Sequence, residues 1–589
     1  MNIAPYVAIL SFPARPRSDR IARFIALLEQ RHRLSRLHDE PALLVLGAPD
    51  AAWRSLPAGT GLVWGRVFDR WTGSPISAVA PGTPFDDRAD HFVRRFWGGY
   101  VAIRTIDGVP ELLRDPSGDV PCYHAVIDGT HIATSRPHLL FDGGLLDPDI
   151  DWTIIAQALA FRDLRPARTA LRGVAELLPG MRARVDGERL DIRCVWSPWS
   201  FVTPRDDRQD VARAADALRR TADTCLRAWA SQFMRPVVEI SGGLDSAIVA
   251  TGLHGAGAPP TAISYASLEG DPNELPYAEA IAAMLGLALH VVRLDIGQVD
   301  LFASDARDLP RPCARNFAQA LDRSGLALAA ASGADAFFSG GGGDNVFCHL
   351  QSVLPVLDRL AARKIVPALR RTASDVARLA QVTTWEVLAT VARRLARHPT
   401  PFPTPRRNRY LSDAACATLA WPAGHPWLDA PAGVPRGKRR HVWSLIGIQN
   451  HLEGYRRLYH APIVSPLLSQ PLVELCLGIP SWLWCHEGRN RAVARAAYQG
   501  TLPDAVLARR TKGAFDSFGA ALIERHRAAL GPFLVAGRLA EQGLLDVARL
   551  ERSLAAPLPD GEMIVELLAL ADVEAWIRSW EGRRAPDAA

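Results

Sequence analysis

Residues 237–246 read VVEISGGLDS. Val237, Val238 and Ile240 make a short apolar run of the kind a buried strand shows, and AIVATGLHGAG (247–257) carries the apolar pattern of a helix. A strand that turns through Gly242 and Gly243 into a helix start presents free backbone N–H groups and the positive end of a helix dipole, which is an anion site. The two glycines let the backbone approach the anion closely, and Ser241 and Ser246 add hydroxyl donors. Asp245 would be wasted on a bare phosphate. It makes sense if Mg²⁺ bridges it to pyrophosphate oxygens. An ordinary strand–turn–helix with a capping Ser or Asp is the plain alternative, but Asp and Ser at these fixed places favour a nucleotide loop formed by Ile240, Ser241, Gly242, Gly243, Leu244, Asp245 and Ser246. It is not a Walker loop, because no G-K-[ST] follows.

The chain around this loop has 589 residues, too many for one core and enough for two or three domains. A hydrophobic content of 48% with 22% charged residues is globular. The net charge of +6 is small for this length, and the arginines are scattered rather than clustered, which speaks against nucleic acid as a partner. Eight cysteines (Cys122, Cys194, Cys225, Cys313, Cys348, Cys416, Cys476, Cys485) show no C-x-x-C spacing and read as reduced, mostly buried thiols. The opening MNIAPYVAILSF has no basic leader, and no stretch approaches the length of a membrane span, so the expectation is a cytoplasmic protein without membrane contact.

The pattern changes near residue 200. Before it, short β-rich runs (41–48, 61–69, 97–105) alternate with turns, and Asp-Gly pairs at 107–108, 128–129 and 186–187 sit between apolar runs as hairpin signals. One helix, 21–30, interrupts them. From 208 onward helical periods dominate, with Val211, Leu218, Ala222, Cys225, Trp229 and Phe233 on one face of a long helix. Further strands are predicted at 261–267, 289–295 and 335–340, separated by helices, which means a parallel α/β sheet. After about 350 the pattern is helical almost throughout, apart from the Pro-rich loop 398–409. The expected organisation is a domain over 1–200 and a second over 201–589.

A second chemical segment follows the strand at 335–340: residues 337–345 read FFSGGGGDN. Glycines directly after an apolar strand let the backbone hug a ligand, and open parallel sheets bind ligands beyond the carboxyl ends of their strands. Ser339, Gly340 and Gly341 therefore join the candidate nucleotide site, and Asp344 offers a second carboxylate for magnesium, opposite Asp245.

The SGGLDS loop resembles the pyrophosphate loop of ATP pyrophosphatases, which split ATP into AMP and pyrophosphate. The order SGGLDS, TAISYAS with YAEAIAAMLGLALHVV, and FFSGGGGDN is similar to the synthetase domain of asparagine synthetases. So are PLLSQPLVELCLGIPSWLW (466–484), GRNRAVARAAY and LPDAVLARRTKGAFD (502–516); the likeness covers most of 205–520. Residues 96–135 resemble the strand core of the glutaminase domain of the same enzymes, including Arg114-Asp115, Gly118, Pro121 and Tyr123. The resemblance implies an α/β protein: an N-terminal β-rich, glutaminase-like (Ntn-type) domain, then an ATP-pyrophosphatase parallel-sheet domain with a helical C-terminal region. ATP and Mg²⁺ are the implied cofactors.

Two departures bear on function. Glutamine-dependent members carry a catalytic cysteine directly after the initiator methionine, where this chain has Asn2, and an amide cannot act as a thiolate nucleophile. The N-terminal domain is therefore expected to be structural or to bind. The family loop usually reads S-G-E-G-S-D-E; here Gly341 replaces the first Glu and Asn345 the second. β-Lactam-forming relatives place a Tyr where Gly341 stands, so no base carries over from them. The branch with this profile is the lasso-peptide macrolactam synthetases, and the missing Glu-x-Arg ahead of Pro466 points the same way. That resemblance implies a precursor core peptide as substrate, whose Asp or Glu side chain is adenylated and attacked by the peptide's own N-terminal amine. It also implies a leader peptidase and a leader-binding protein as partners.

Lys512, in RRTKGAF, matches a family lysine that points into the site, where its ammonium would stabilise the phosphorane-like and tetrahedral oxyanion states; with Asp245 and Asp344 it forms the expected catalytic set. Arg509 and Arg510 read more as surface residues. A β-lactam or carbapenam synthetase, an ammonia-dependent asparagine synthetase, a catalytically dead binding partner and a tRNA-modifying pyrophosphatase are the alternatives.

Overall fold

The computed structural model describes residues 5–12, 16–76, 89–203, 210–266, 274–362, 366–396, 408–419, 424–510, 516–557 and 561–583. Asn2, Lys512 and most of the Pro-rich loop 398–409 lie outside them.

The N-terminal half is built from β1 (Tyr6–Leu10), β2 (Ser35–Asp39), β3 (Leu43–Gly47), β4 (Trp53–Ser55), β5 (Gly61–Asp69), β6 (Phe96–Ile106), β7 (Val109–Arg114), β8 (Tyr123–Ile127), β9 (Thr130–Thr134), β10 (Ala175–Glu176), β11 (Met181–Asp186) and β12 (Arg189–Cys194). They form two six-stranded sheets, β10-β8-β9-β1-β3-β2 and β12-β11-β7-β6-β5-β4, antiparallel throughout. The sheets pack face to face: Tyr6, Ala8 and Leu10 meet Leu62, Trp64, Val101 and Ile103, with the Tyr6 and Trp64 rings 5.6 Å apart.

Side chains alternate along a strand, so Val7 and Ile9 point the other way, onto Ile21, Phe24, Ile25 and Leu28 of helix Asp19–Gln30. With both faces covered, β1 and β3 are buried at every position. Two of the three Asp-Gly hairpins form where the sequence puts them. Asp107-Gly108 and Asp128-Gly129 are two-residue loops with both φ positive, the geometry that suits the strand twist. At the third pair the turn sits one residue later: Asp186 still pairs with Arg189, so Gly187 takes the first central position, at φ +59°.

The second half contains a five-stranded parallel sheet, β15 (Leu289–Arg293), β14 (Thr261–Ala266), β13 (Pro236–Glu239), β16 (Ala336–Phe338) and β17 (Ile463–Val464), in that order. The first four match the predicted strands. β17 was not expected; two residues carry no period. Helix Val211–Ala230 packs Leu218, Ala222, Cys225 and Trp229 inward as predicted; Val211, assigned to the same face, is half-buried, and Phe233 is buried beyond the end of the helix. Trp229 then reaches the N-terminal half, its ring 5.1 Å from Phe68 and 6.4 Å from Trp97. Among the described residues, no helix is long and apolar enough to cross a membrane.

Apolar packing is continuous across the seam between the halves, and a buried ionic network pins it. Glu176 is paired with Arg114 at 2.7 Å, Arg165 at 2.9 Å and Arg311 at 2.8 Å. Arg165 also meets Glu453 at 2.9 Å, and Glu453 accepts a hydrogen bond from Tyr123 Oη at 2.7 Å. Three guanidinium groups overcome the desolvation of Glu176 and hold its carboxyl far below the usual carboxylate range. Arg114 of the R-D-x-x-G element also donates to the carbonyls of Gly118 and Val120, so this motif serves the scaffold.

Candidate active site

β13 ends in the loop Ile240–Ser241–Gly242–Gly243, and helix Leu244–Gly255 starts with no side chain capping its first turn. Gly242 holds φ at +67°, and a Cβ there would sit 2.7 Å from the Glu274 carbonyl oxygen, so only glycine fits. Ile240 and Leu244 are buried in the core and offer backbone only. Ser241 is exposed beside the loop, in keeping with a donor to ligand. Ser246 is not. It is buried, its Oγ accepts from the Ser241 amide at 3.2 Å and donates to the Gly243 carbonyl at 3.2 Å, so it braces the loop.

β16 delivers the second loop. Ser339 donates its amide to Val464 of β17 at 3.0 Å and accepts from the Gly341 amide through Oγ at 3.1 Å, fixing the start of the glycine run. The two loops cross in van der Waals contact. A Cβ on Gly340 would lie 2.6 Å from the Ser246 amide nitrogen, and one on Gly343 would lie 2.3 Å from Asp245 Cγ. Gly341 differs: the nearest atoms to its Cβ position are Ser339 Oγ and Ser465 Oγ, both at 3.4 Å.

This crossing brings Asp245 and Asp344 together. What the sequence reading missed is the group between them. Arg491 Nη1 lies 3.0 and 2.9 Å from the two Asp245 oxygens and 2.8 Å from Asp344 Oδ1. Arg491 sits in the left-handed region at φ +52°, ahead of helix Ala492–Ala497, and is 8% exposed. A bulky residue at positive φ is rare and marks a constrained place. The stretch GRNRAVARAAY contains it, but nothing in its local pattern separates Arg491 from Arg489.

Arg509, read from sequence as a surface residue, is instead part of the site. It donates to the Gly242 carbonyl at 3.2 Å and to Glu274 Oε1 at 2.7 Å, and its guanidinium stacks 4.6 Å from the centre of the Tyr277 ring. It ties the pyrophosphate loop to helix Leu275–Leu285. Arg495 supports the same region, donating to the Arg509 carbonyl at 2.9 Å; burial, helped by the charge of Arg491, lowers its pKa to about 10.

Magnesium binds hard oxygen ligands and is commonly held by one or two carboxylates together with substrate phosphates. Two carboxylates converging on one nitrogen fit that role, and the described residues hold no larger cluster that would bind a metal without a nucleotide. Asp245 and Asp344 would hold the ion. With a helix start that no side chain caps beside them, the place suits the triphosphate end of a nucleotide.

None of the curated proteins matches the chain. Two solved structures show a loose likeness. The allosteric regulatory enzyme of purine biosynthesis is 9% identical with a TM-score of 0.21, over 49% of this chain and 80% of that one. The glutamine phosphoribosylpyrophosphate amidotransferase from B. subtilis, complexed with ADP and GMP, is 10% identical with a TM-score of 0.19, over 49% and 81%. At such scores neither bears on the fold, which rests on the strand order above. Residues 215–578, well over half of the chain and spanning both glycine loops, Arg491 and Arg509, match the asparagine synthase family, and the protein belongs to that family of ATP-dependent amide-forming ligases.

Proposed function

We propose that this protein is a lasso-peptide macrolactam synthetase: it adenylates an Asp or Glu side chain of a precursor peptide and joins it to the peptide's N-terminal amine. The observation that carries this reading is an ATP-type site with both carboxylates in place beside an N-terminal half that has no usable thiol. Cys122 is fully buried, and burial pushes its thiol up to about 11, while Cys194 is raised as well. Neither is a thiolate nucleophile. Without glutamine hydrolysis the amine must come from elsewhere, and Gly341 and Asn345 depart from the family loop in the way this branch does.

In the first step a carboxylate oxygen of the peptide bonds to the α-phosphorus of ATP and pyrophosphate leaves. Magnesium at Asp245 and Asp344 would supply Lewis-acid neutralisation of the departing charge. The amides at the start of helix Leu244–Gly255 hold the phosphates, and Arg491, freed from the carboxylates, adds a second cation. In the second step the peptide amine bonds to the acyl carbon, AMP leaves, and the amine gives up one proton. A peptide amine with a pKa near 7.7–8.0 keeps roughly a fifth to a third of its population neutral at physiological pH, so it needs orientation more than a strong base. Lys512 is proposed to stabilise the oxyanion.

The test is incubation of a linear precursor peptide with ATP and Mg²⁺, read by peptide mass and by nucleotide product. Loss of one water from the peptide with AMP and pyrophosphate is the expected result, abolished in Asp245→Ala and Asp344→Ala. Lys512→Ala should retain ATP binding but lose at least about a hundredfold in rate. ADP as product, free asparagine as the amide formed, or a normal rate in Lys512→Ala would overturn the assignment.

A further inference from the structure

A cavity of about 400 Å³ opens between helix Trp152–Ala160 of the N-terminal half, the loop before helix Ala318–Ser332, and the C-terminal helix Gly561–Glu581. That volume is within the range of ligand sites. It lies on the functional side of the sheet. A helix leading into a parallel strand starts at the carboxyl ends, and Tyr265 near the end of β14 donates to the Leu321 carbonyl at 3.3 Å. From the other direction, helix Arg436–Gln449 accepts Asn345 Nδ2 at the Ser444 carbonyl, 2.8 Å, and runs on to Asn450 and His451, which line the cavity. Seven residues of helix span about 10 Å.

The walls are apolar, including Ile154, Phe161, Phe317, Ile564 and Leu568. One end is polar. Asn316 is 2% exposed, and neither Oδ1 nor Nδ2 of its carboxamide has a hydrogen-bond partner. Asp572 beside it is 7% exposed, receives the Asn316 backbone amide, and leaves Oδ1 without a partner. Burial raises the Asp572 carboxyl well above its usual range. The neighbouring arginines are engaged: Arg311 with Glu176 and the Pro166 carbonyl, Arg315 with Tyr455 Oη. Buried amides are normally paired, and one with both its donor and its acceptor open fits a group that offers a complementary C=O and N–H side by side, as the main-chain N–H and C=O of one extended peptide residue do.

We infer that this cavity is a peptide subsite: it takes an apolar residue of the acceptor peptide in extended conformation, with the Asn316 carboxamide hydrogen-bonded to that residue's own main-chain N–H and C=O. The inference rests on the peptide-ligase reading above. Asn316 is then a specificity-determining residue, and the occupied cavity holds the folded substrate near the glycine loops.

The test needs no ATP, so it fails or succeeds independently of the ligase assignment. Saturation-transfer NMR on the full chain with N-acetyl-leucine amide should show saturable binding with a Kd on the order of 1 mM. Asn316→Leu should weaken it at least about tenfold. Val565→Trp, at a 43% exposed position on the cavity lining where the fold is little at risk, should abolish it by filling the mouth. Asp245→Asn should leave it unchanged. Absence of saturable binding, meaning a cavity filled by water only, binding indifferent to both Asn316→Leu and Val565→Trp, or tighter binding of the N-acetyl-leucine carboxylate would overturn the subsite. Binding without AMP formation on any peptide would instead overturn the ligase reading and leave the cavity a peptide site.

Discussion

Arg491 spends its charge on two carboxylates that a metal ion would also want, and it does so from a strained φ of +52°. A guanidinium in that position would compete with the Mg²⁺ proposed for it in the nucleotide-free protein. Hydrogen bonds to charged groups contribute about 1.5–3 kcal/mol each, so removing the competitor has a readable effect. Arg491→Ala should tighten nucleotide-free Mg²⁺ binding about tenfold or more, measured by calorimetric titration, while AMP formation falls because the phosphates lose a cation. Unchanged Mg²⁺ affinity would mean that the arginine moves aside freely. Asp119 offers a pH test at the same scale. Burial, reinforced by the negative charge of Asp115, pushes its carboxyl up to about 7 against the opposing pull of Arg66. The fold then holds a proton that the unfolded chain has already released between about pH 4 and 7, so the stability present below pH 4 declines as pH rises through 7. Asp119→Asn should melt on the order of 2–4 °C higher than the parent at pH 8, with the gap closing at pH 4. A gap that is the same at both pH values would show that the carboxyl titrates normally.

At the scale of elements, the two loops behave as one part because each occupies the space a side chain would need in the other. That makes the glycines of the run unequal. At Gly340 a methyl group would press on the Ser246 backbone, and at Gly343 on Asp245 itself; at Gly341 it meets two hydroxyls at 3.4 Å. Displacement of reacting groups by about 1 Å can cost a hundredfold in rate. Gly340→Ala should therefore cut AMP formation by about that factor with the fold intact by circular dichroism, whereas Gly341→Ala should stay within a few-fold. Equal losses at both positions would mean that the crossing is loose. The sequence marked both loops, since glycine after an apolar strand is a local signal. It did not rank the glycines, because their neighbours come from the other loop.

For the whole molecule, the seam between the halves is held by Glu176 and its three arginines as well as by the shared core. Breaking a buried ion pair from one side strands the partner charges and costs about 3–5 kcal/mol. Glu176→Gln should lower the unfolding free energy by that amount in urea titration; a loss under about 1 kcal/mol would mean that Glu453 and water compensate. The sequence by itself determined the antiparallel hairpins, the parallel strands and helices around SGGLDS, the second glycine loop and the family resemblance. These are set by turn chemistry, period and composition within a few residues, and such signals survive in one dimension. The tertiary structure alone decided that β17 completes the sheet, that Arg491 stands between Asp245 and Asp344, that Arg509 belongs to the loop rather than the surface, and that Asn316 faces a cavity. Arg491 is 246 residues from Asp245, and a two-residue strand has no period. What such residues do depends on which charge or space they meet, and only the packing of distant segments fixes that.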